Sequence, residues 1–96
     1  MIIKDNRKVA VEVVNMTVDS VEMVVLHPGG REESIAFDAY YAGVCWFPVG
    51  SYLKLPAAVT VSTTGAPLED VKVPVSDGFL QPHYILKEGV CYHVSF

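Results

Sequence analysis

The sequence predicts an all-β domain: a compact sandwich or small barrel of about eight to ten short, mainly antiparallel strands. Three observations carry this. Apolar residues alternate with small or polar ones at period two in several separate segments, the pattern of half-buried strands. Valine is the commonest residue, with 17 copies, and its β-branched side chain fits a pleated surface better than a helix. From residue 28 onward no stretch free of both Pro and Gly exceeds twelve residues, which leaves no room for a long helix.

The first segment, residues 8–27, has neither Pro nor Gly. Val9, Val13, Met16 and Met23 would make a helical stripe, but nine β-branched residues between Val9 and Val25 oppose it. Two strands are expected, with Asn15 or Asp19-Ser20 supplying the bend. Pro28-Gly29-Gly30 then suits the positive-φ positions of a tight hairpin. Ile35, Phe37, Ala39 and Tyr41 alternate with Ala36, Asp38 and Tyr40, predicting a strand over 35–41. Beyond it lies the apolar run Val44-Cys45-Trp46-Phe47-Pro48. Val59 and Val61 alternate with Thr60 and Ser62, and Val71, Val73 and Val75 with Lys72, Pro74 and Ser76. Val90, Tyr92, Val94 and Phe96 alternate with Cys91, His93 and Ser95. Thr64-Gly65-Ala66-Pro67, Ser76-Asp77-Gly78 and Glu88-Gly89 are turn candidates. Pro48, Pro56 and Pro74 confine their strands to edges, ends or bulges.

Length makes residues 1–96 a single β domain with one core. Its net charge of −4 is mild, with acids and bases interspersed as in Arg31-Glu32-Glu33. Seven scattered Lys and Arg form no positive face on which phosphates could be neutralised, so nucleic acid is not an expected partner. No apolar run nears the roughly 20 residues needed to span a bilayer, so no membrane is expected either. Met1-Ile2-Ile3-Lys4-Asp5 lacks the features of a signal peptide, which predicts folding in a reducing cytoplasm. Cys45 and Cys91 are then two thiols; a disulfide between them requires Cα atoms within about 7 Å. Asn15-Met16-Thr17 matches a glycosylation sequon, which without secretion has no meaning.

Chemistry finds little support. Cys91 and His93, two apart on one strand face, would need Cys45 and His83 to complete a tetrahedral metal site. The chain has no close ligand pair of the C-x₂-C kind. The apolar neighbours Val44 and Trp46 disfavour a reactive Cys45 thiolate. Asp38 with Asp77 or Glu88 is a combination that any acidic chain offers. His27 and His83 are read as polar strand ends. No catalytic residue, cofactor or metal is expected, and the protein is not expected to be an enzyme.

The distribution of charge and aromatics says more. Between Ser34 and Leu68 only Asp38 and Lys54 are charged, and six of the ten aromatics lie there. Adjacent pairs Tyr40-Tyr41 and Trp46-Phe47 cannot both point inward on regular strands, so one member of each faces out. Exposed rings of this kind anchor protein interfaces. Tyr40, Tyr41, Trp46, Phe47 and Tyr52 are the interface candidates. The outward positions of the later strands, Ala58, Thr60, Ser62, Cys91, His93 and Ser95, are small and neutral, which suits packing against a neighbouring subunit.

Part of the chain resembles small β-rich virion structural proteins of tailed phages. The likeness runs through Met23-Val24-Val25-Leu26, Gly29-Gly30, Ile35-Ala36-Phe37-Asp38, Gly43-Val44-Cys45-Trp46-Phe47-Pro48 and the Val/Thr-rich run Val59–Ala66. Residues from Pro67 onward lie outside it. The resemblance implies a structural role: decorating a capsid, or joining head, neck or tail parts. It also implies residence in the virion after folding in the host cytoplasm. Its partners would be proteins, either further copies of itself or a larger assembly subunit. The alternative function is a small phage-encoded binding module that inhibits a host defence protein through the same aromatics.

Overall fold

The computed structural model describes residues 8–56, 58–73 and 83–96. It forms two sheets packed face to face. Among the described residues the strands are β1 (Lys8–Val14), β2 (Val21–Leu26), β3 (Glu32–Phe37), β4 (Ala42–Pro48), β5 (Tyr52–Lys54), β6 (Thr60–Thr64), β7 (Lys72–Val73), β8 (His83–Ile85) and β9 (Cys91–Ser95). One sheet has the order β4-β1-β9-β6 and the other β3-β2-β5-β8-β7. All pairings are antiparallel except β1 with β9, which run parallel at the centre of the four-stranded sheet.

Among the described strands, six of the eight steps from one to the next lead from one sheet to the other. The chain therefore wraps its core instead of building it from successive hairpins. Period-two alternation does the rest: every second side chain of β1 (Val9, Val11, Val13), β2 (Met23, Val25) and β9 (Tyr92, Val94) is buried. Leu53, Leu55, Leu86 and Phe47 close the layer between the sheets. Each such side chain taken from water contributes about 1.5–3 kcal/mol.

The stretch 8–27 forms two strands, with the bend at residues 15–20. Asn15 does more than bend the chain. Only 1% exposed, its side-chain amide donates to the carbonyls of Asp19 and Asp38, each at 2.9 Å. Its Oδ1 accepts from the Thr17 N–H at 3.0 Å and the Thr17 hydroxyl at 2.7 Å. One buried amide thus fastens the β1–β2 loop to the turn after β3.

That clamp explains where the expected strand over 35–41 departs from the structure. β3 ends at Phe37. Tyr40 adopts φ of 59°, and the Tyr41 N–H donates to the Asp38 carbonyl at 3.1 Å. Alternation alone does not reveal a turn whose cause is a side chain more than twenty positions upstream.

Other turns fall where expected. Gly29 and Gly30 take φ of 94° and 97° in the β2–β3 hairpin. Gly65, at φ 110°, approaches the second turn so closely that a Cβ there would sit 2.8 Å from the Gly89 carbonyl oxygen. Pro48 ends β4, which is an edge strand among the described residues. The turn at Ser76-Asp77-Gly78 and the residues Pro74 and Val75 lie outside the described residues.

Candidate functional site: the outer face of the four-stranded sheet

Register fixes what the outer face of the four-stranded sheet presents. On β4 the outward residues are Ala42, Val44 and Trp46, and opposite them on β1 stand Val14, Glu12 and Ala10. On β9, His93 lies beside Glu12 and Ser95 beside Val14. On β6, Thr60, Ser62 and Thr64 face Ser95, His93 and Cys91. The small, neutral outward positions anticipated on the last strands are thus joined into one surface.

Its central carboxylate, Glu12, has a polar partner within the face. The His93 Nδ1 lies 3.3 Å from the Glu12 carboxylate and its Nε2 lies 3.1 Å from the Thr64 hydroxyl. Lys8, opposite Pro48, sits at the margin. The outer face of the five-stranded sheet is different: it carries Glu22, Glu32 and Lys54, with Lys54 Nζ 3.0 Å from Glu32. A groove of about 570 Å³ opens there, lined by residues that include Glu22, Val24, Lys54 and Phe96. It contains no thiol, imidazole or hydroxyl side chain.

The expected interface aromatics divide. Trp46 is 61% exposed and Phe47 5%; Tyr40 is 68% exposed while Tyr41 is half-buried. One member of each adjacent pair therefore faces out: by strand alternation for Trp46-Phe47, and through the turn at Tyr40 for Tyr40-Tyr41. Phe47 belongs to the core, where its ring meets His27 edge-on at 6.4 Å, so it offers no surface to a partner. Tyr41 packs on Phe37 with ring centroids 4.9 Å apart. Tyr52 is half-buried on the outer side of the five-stranded sheet, between Leu26 and Ile85. The five candidates do not converge: Tyr40 and Trp46 are exposed beside and on β4, Tyr41 and Phe47 turn inward beneath it, and Tyr52 lies on the other sheet.

Among the described residues the large exposed apolar side chains are Met16, Val18, Tyr40, Val44 and Trp46. Val44 and Trp46 lie on β4, and Tyr40 is in the turn that leads into it. Met16 and Val18 lie in the loop that turn is bonded to, through Tyr40 N–H to the Thr17 carbonyl at 3.3 Å. The Met16 sulfur also lies 3.8 Å from the Ser95 hydroxyl on the outer face. Sequence reasoning missed Met16, Val18 and Val44. The signal for Val44 was its i−2 relation to Trp46.

Gly43 leaves room for a ring. A Cβ there would stand 2.6 Å from the Tyr41 hydroxyl, so the missing side chain lets Tyr41 lie beneath β4 and bond Cys45. Burial pushes the Cys45 thiol above its ordinary pKa, partly offset by the hydrogen bond from Tyr41. The Tyr41 phenol is raised in turn, first by the neighbouring Cys45 charge and then by burial. Cys45 and Cys91 are free thiols on opposite faces of the same sheet, half-buried and exposed respectively. No group of three His, Cys, Asp or Glu gathers among the described residues. Cys91 and His93 share the outer face, Cys45 points beneath it, and His83 belongs to the other sheet.

No protein-family model, curated protein or solved structure matches the chain. No helix among the described residues is long and apolar enough to cross a membrane.

Proposed function

We propose that the protein is a non-enzymatic structural subunit of a larger protein assembly, a component of a phage virion, docking through the outer face of the β4-β1-β9-β6 sheet. The observation that carries this is the asymmetry between its two outer faces. One carries Glu22, Glu32 and Lys54 among Val24, Leu26, Tyr52 and Ile85. The other presents Ser, Thr, Ala, Val and Trp around one Glu–His pair, with Lys8 at its margin. Depletion of charge with a retained aromatic is the composition of an interface core. Trp46 is the anchor, since one or two buried rings supply most of the energy of a docked surface. The neutral hydroxyls around it exclude water without charging the partner for desolvated ions. The resemblance of residues 23–66 to tailed-phage structural proteins supplies the particle.

The test is co-sedimentation with particles from producing cells. Wild-type chain and Glu22→Arg, on the opposite sheet, are expected in the particle fraction. Trp46→Asp and Ser62→Arg are expected in the soluble fraction. Retention of both outer-face variants with particles overturns the docking surface. A wild-type chain found only in solution with one captured host protein favours the inhibitor reading instead.

A further inference from the structure

We infer that docking through the outer face of the β4-β1-β9-β6 sheet takes up one proton, carried by His93, so that the protein holds its neighbour more tightly in mildly acid surroundings. This rests on reading that face as the docking surface, and it adds the regulation of the same site.

The centre of the face carries one carboxylate. Around Glu12 and His93 the outward side chains among the described residues are Ala10, Val14, Ser62, Thr64, Cys91 and Ser95, while Lys8 stands apart at the start of β1. The Glu12 side chain is 52% exposed and that of His93 40%, so the free protein leaves the carboxylate in water. Docking removes that water. Beside a neutral imidazole the carboxylate keeps its full charge, and burying an uncompensated charge is costly. Beside an imidazolium it forms a pair of zero net charge, joined by a charge-assisted hydrogen bond. The docked state therefore binds a proton more tightly than the free one. By linkage, falling pH strengthens docking and rising pH weakens it.

His93 is placed to carry that proton without rearrangement. It stands in register between Glu12 on β1 and Ser62 on β6, with Nδ1 3.3 Å from the Glu12 carboxylate and Nε2 3.1 Å from the Thr64 hydroxyl. A carboxylate only accepts, so in the neutral ring Nδ1–H donates to Glu12 and Nε2 accepts from Thr64. In the cation both nitrogens donate. The Thr64 hydroxyl then only turns its hydrogen away, since its oxygen accepts as well as donates. Each protonation state thus finds both partners in place. Charged and titratable groups facing the ring are few among the described residues. They are Glu12 from β1 and Cys91 from its own strand; β6 offers the hydroxyls of Ser62 and Thr64, and β4 carries no charged residue. Imidazole is the side chain whose charge changes between pH 5 and 8, so His93 is the group that responds in mild acid.

The test follows release of the chain from particles of producing cells, diluted and pelleted at pH 6 and at pH 8. Wild-type chain is expected to be held about tenfold more tightly at pH 6, inside the limit of about tenfold per pH unit that one proton sets. Glu12→Gln removes the carboxylate and keeps its shape. It is expected to be held at pH 8 as tightly as wild type at pH 6, with a flat profile. His93→Gln is expected to be as weak at pH 6 as wild type is at pH 8. Glu22→Gln, on the other sheet, is expected to keep the wild-type profile. Equal retention of wild type at both pH values overturns the inference and leaves the docking face standing. So does a Glu12→Gln chain held less tightly than wild type at pH 6, which would mean that the neighbour supplies the cation. A Glu12→Gln chain with the wild-type profile overturns it too, by placing the proton elsewhere. Wild-type chain absent from the particles at both pH values removes the docking face and the inference together. The wild-type profile needs no variant, so it decides even where a substitution fails to fold.

Discussion

Tyr92, on β9 of one sheet, donates its phenolic hydroxyl to the carbonyl of Ile85, on β8 of the other, at 2.6 Å. The same oxygen accepts from the Lys87 N–H at 2.9 Å. The ring is wholly buried, so the polar tip of one core side chain ties down the crossing that connects the sheets. A tyrosine bonded back to upstream backbone serves the same purpose in other sandwiches.

Tyr92→Phe keeps the ring and strands two backbone groups. Leaving buried polar groups unpaired costs about 1–3 kcal/mol each. A loss of about 2 kcal/mol in urea unfolding is expected, with an unchanged m-value. A change under about 0.5 kcal/mol would mean that water replaces both bonds.

Burial raises the phenols of Tyr92 and Tyr84 above their ordinary value. The folded state thus prefers the neutral phenol. That stability is whole below the unfolded tyrosine pKa, about 10, and falls as pH climbs from there through the higher folded values. The melting temperature is expected to hold to about pH 9.5 and to drop beyond it, with tyrosinate absorbance appearing during unfolding. Full ionisation of all tyrosines before unfolding would contradict it.

Trp46 and Phe47 are neighbours with opposite fates. Trp46→Asp is expected to cost about 1 kcal/mol or less, mainly strand propensity. Phe47→Asp places a carboxylate in the core and is expected to cost more than about 4 kcal/mol. Circular dichroism separates them: a native spectrum for the first, an unfolded one for the second.

Asn15→Ala removes the clamp between two loops. A loss of about 2–3 kcal/mol is expected, because the Asp38 and Asp19 carbonyls lose a buried donor. Nuclear magnetic resonance should show the largest shifts at Thr17, Tyr40 and Tyr41. Shifts confined to residues 15–19 would mean that the loops are held together by something else.

The two thiols should differ in rate. Burial raises the Cys45 thiol, and Cys91 is exposed on the outer face. In dilute protein at pH 8, Ellman's reagent is expected to modify Cys91 first, and Cys45 at least about tenfold more slowly, a factor set by thiolate fraction and access. Equal rates would place Cys45 in the open.

The strands from Val9 to Val25 and from Val90 to Phe96 could be read directly because burial on one face enforces period two. The partition of Trp46 from Phe47 followed from the same rule, although which member faced inward did not. The end of β3 at Phe37 was hidden, since it depends on a contact from Asn15. The sheet crossings were hidden too: turn residues such as Pro28-Gly29-Gly30 mark where the chain reverses, but not which layer it enters next. Tyr52 looked like part of one aromatic surface with Trp46 because the two are near in sequence. The crossing between β4 and β5 carries it to the other side of the molecule.

The parallel pairing of β1 with β9 joins segments from opposite reaches of the polypeptide. Val11 finds Tyr92 only after nearly all the intervening sequence has been synthesised, and loops that large are slow to close. During translation β1 must wait for its β9 neighbour, and the four-stranded layer gains its middle last. Nascent chains are therefore most vulnerable to aggregation and proteolysis in this interval, before β9 leaves the ribosome.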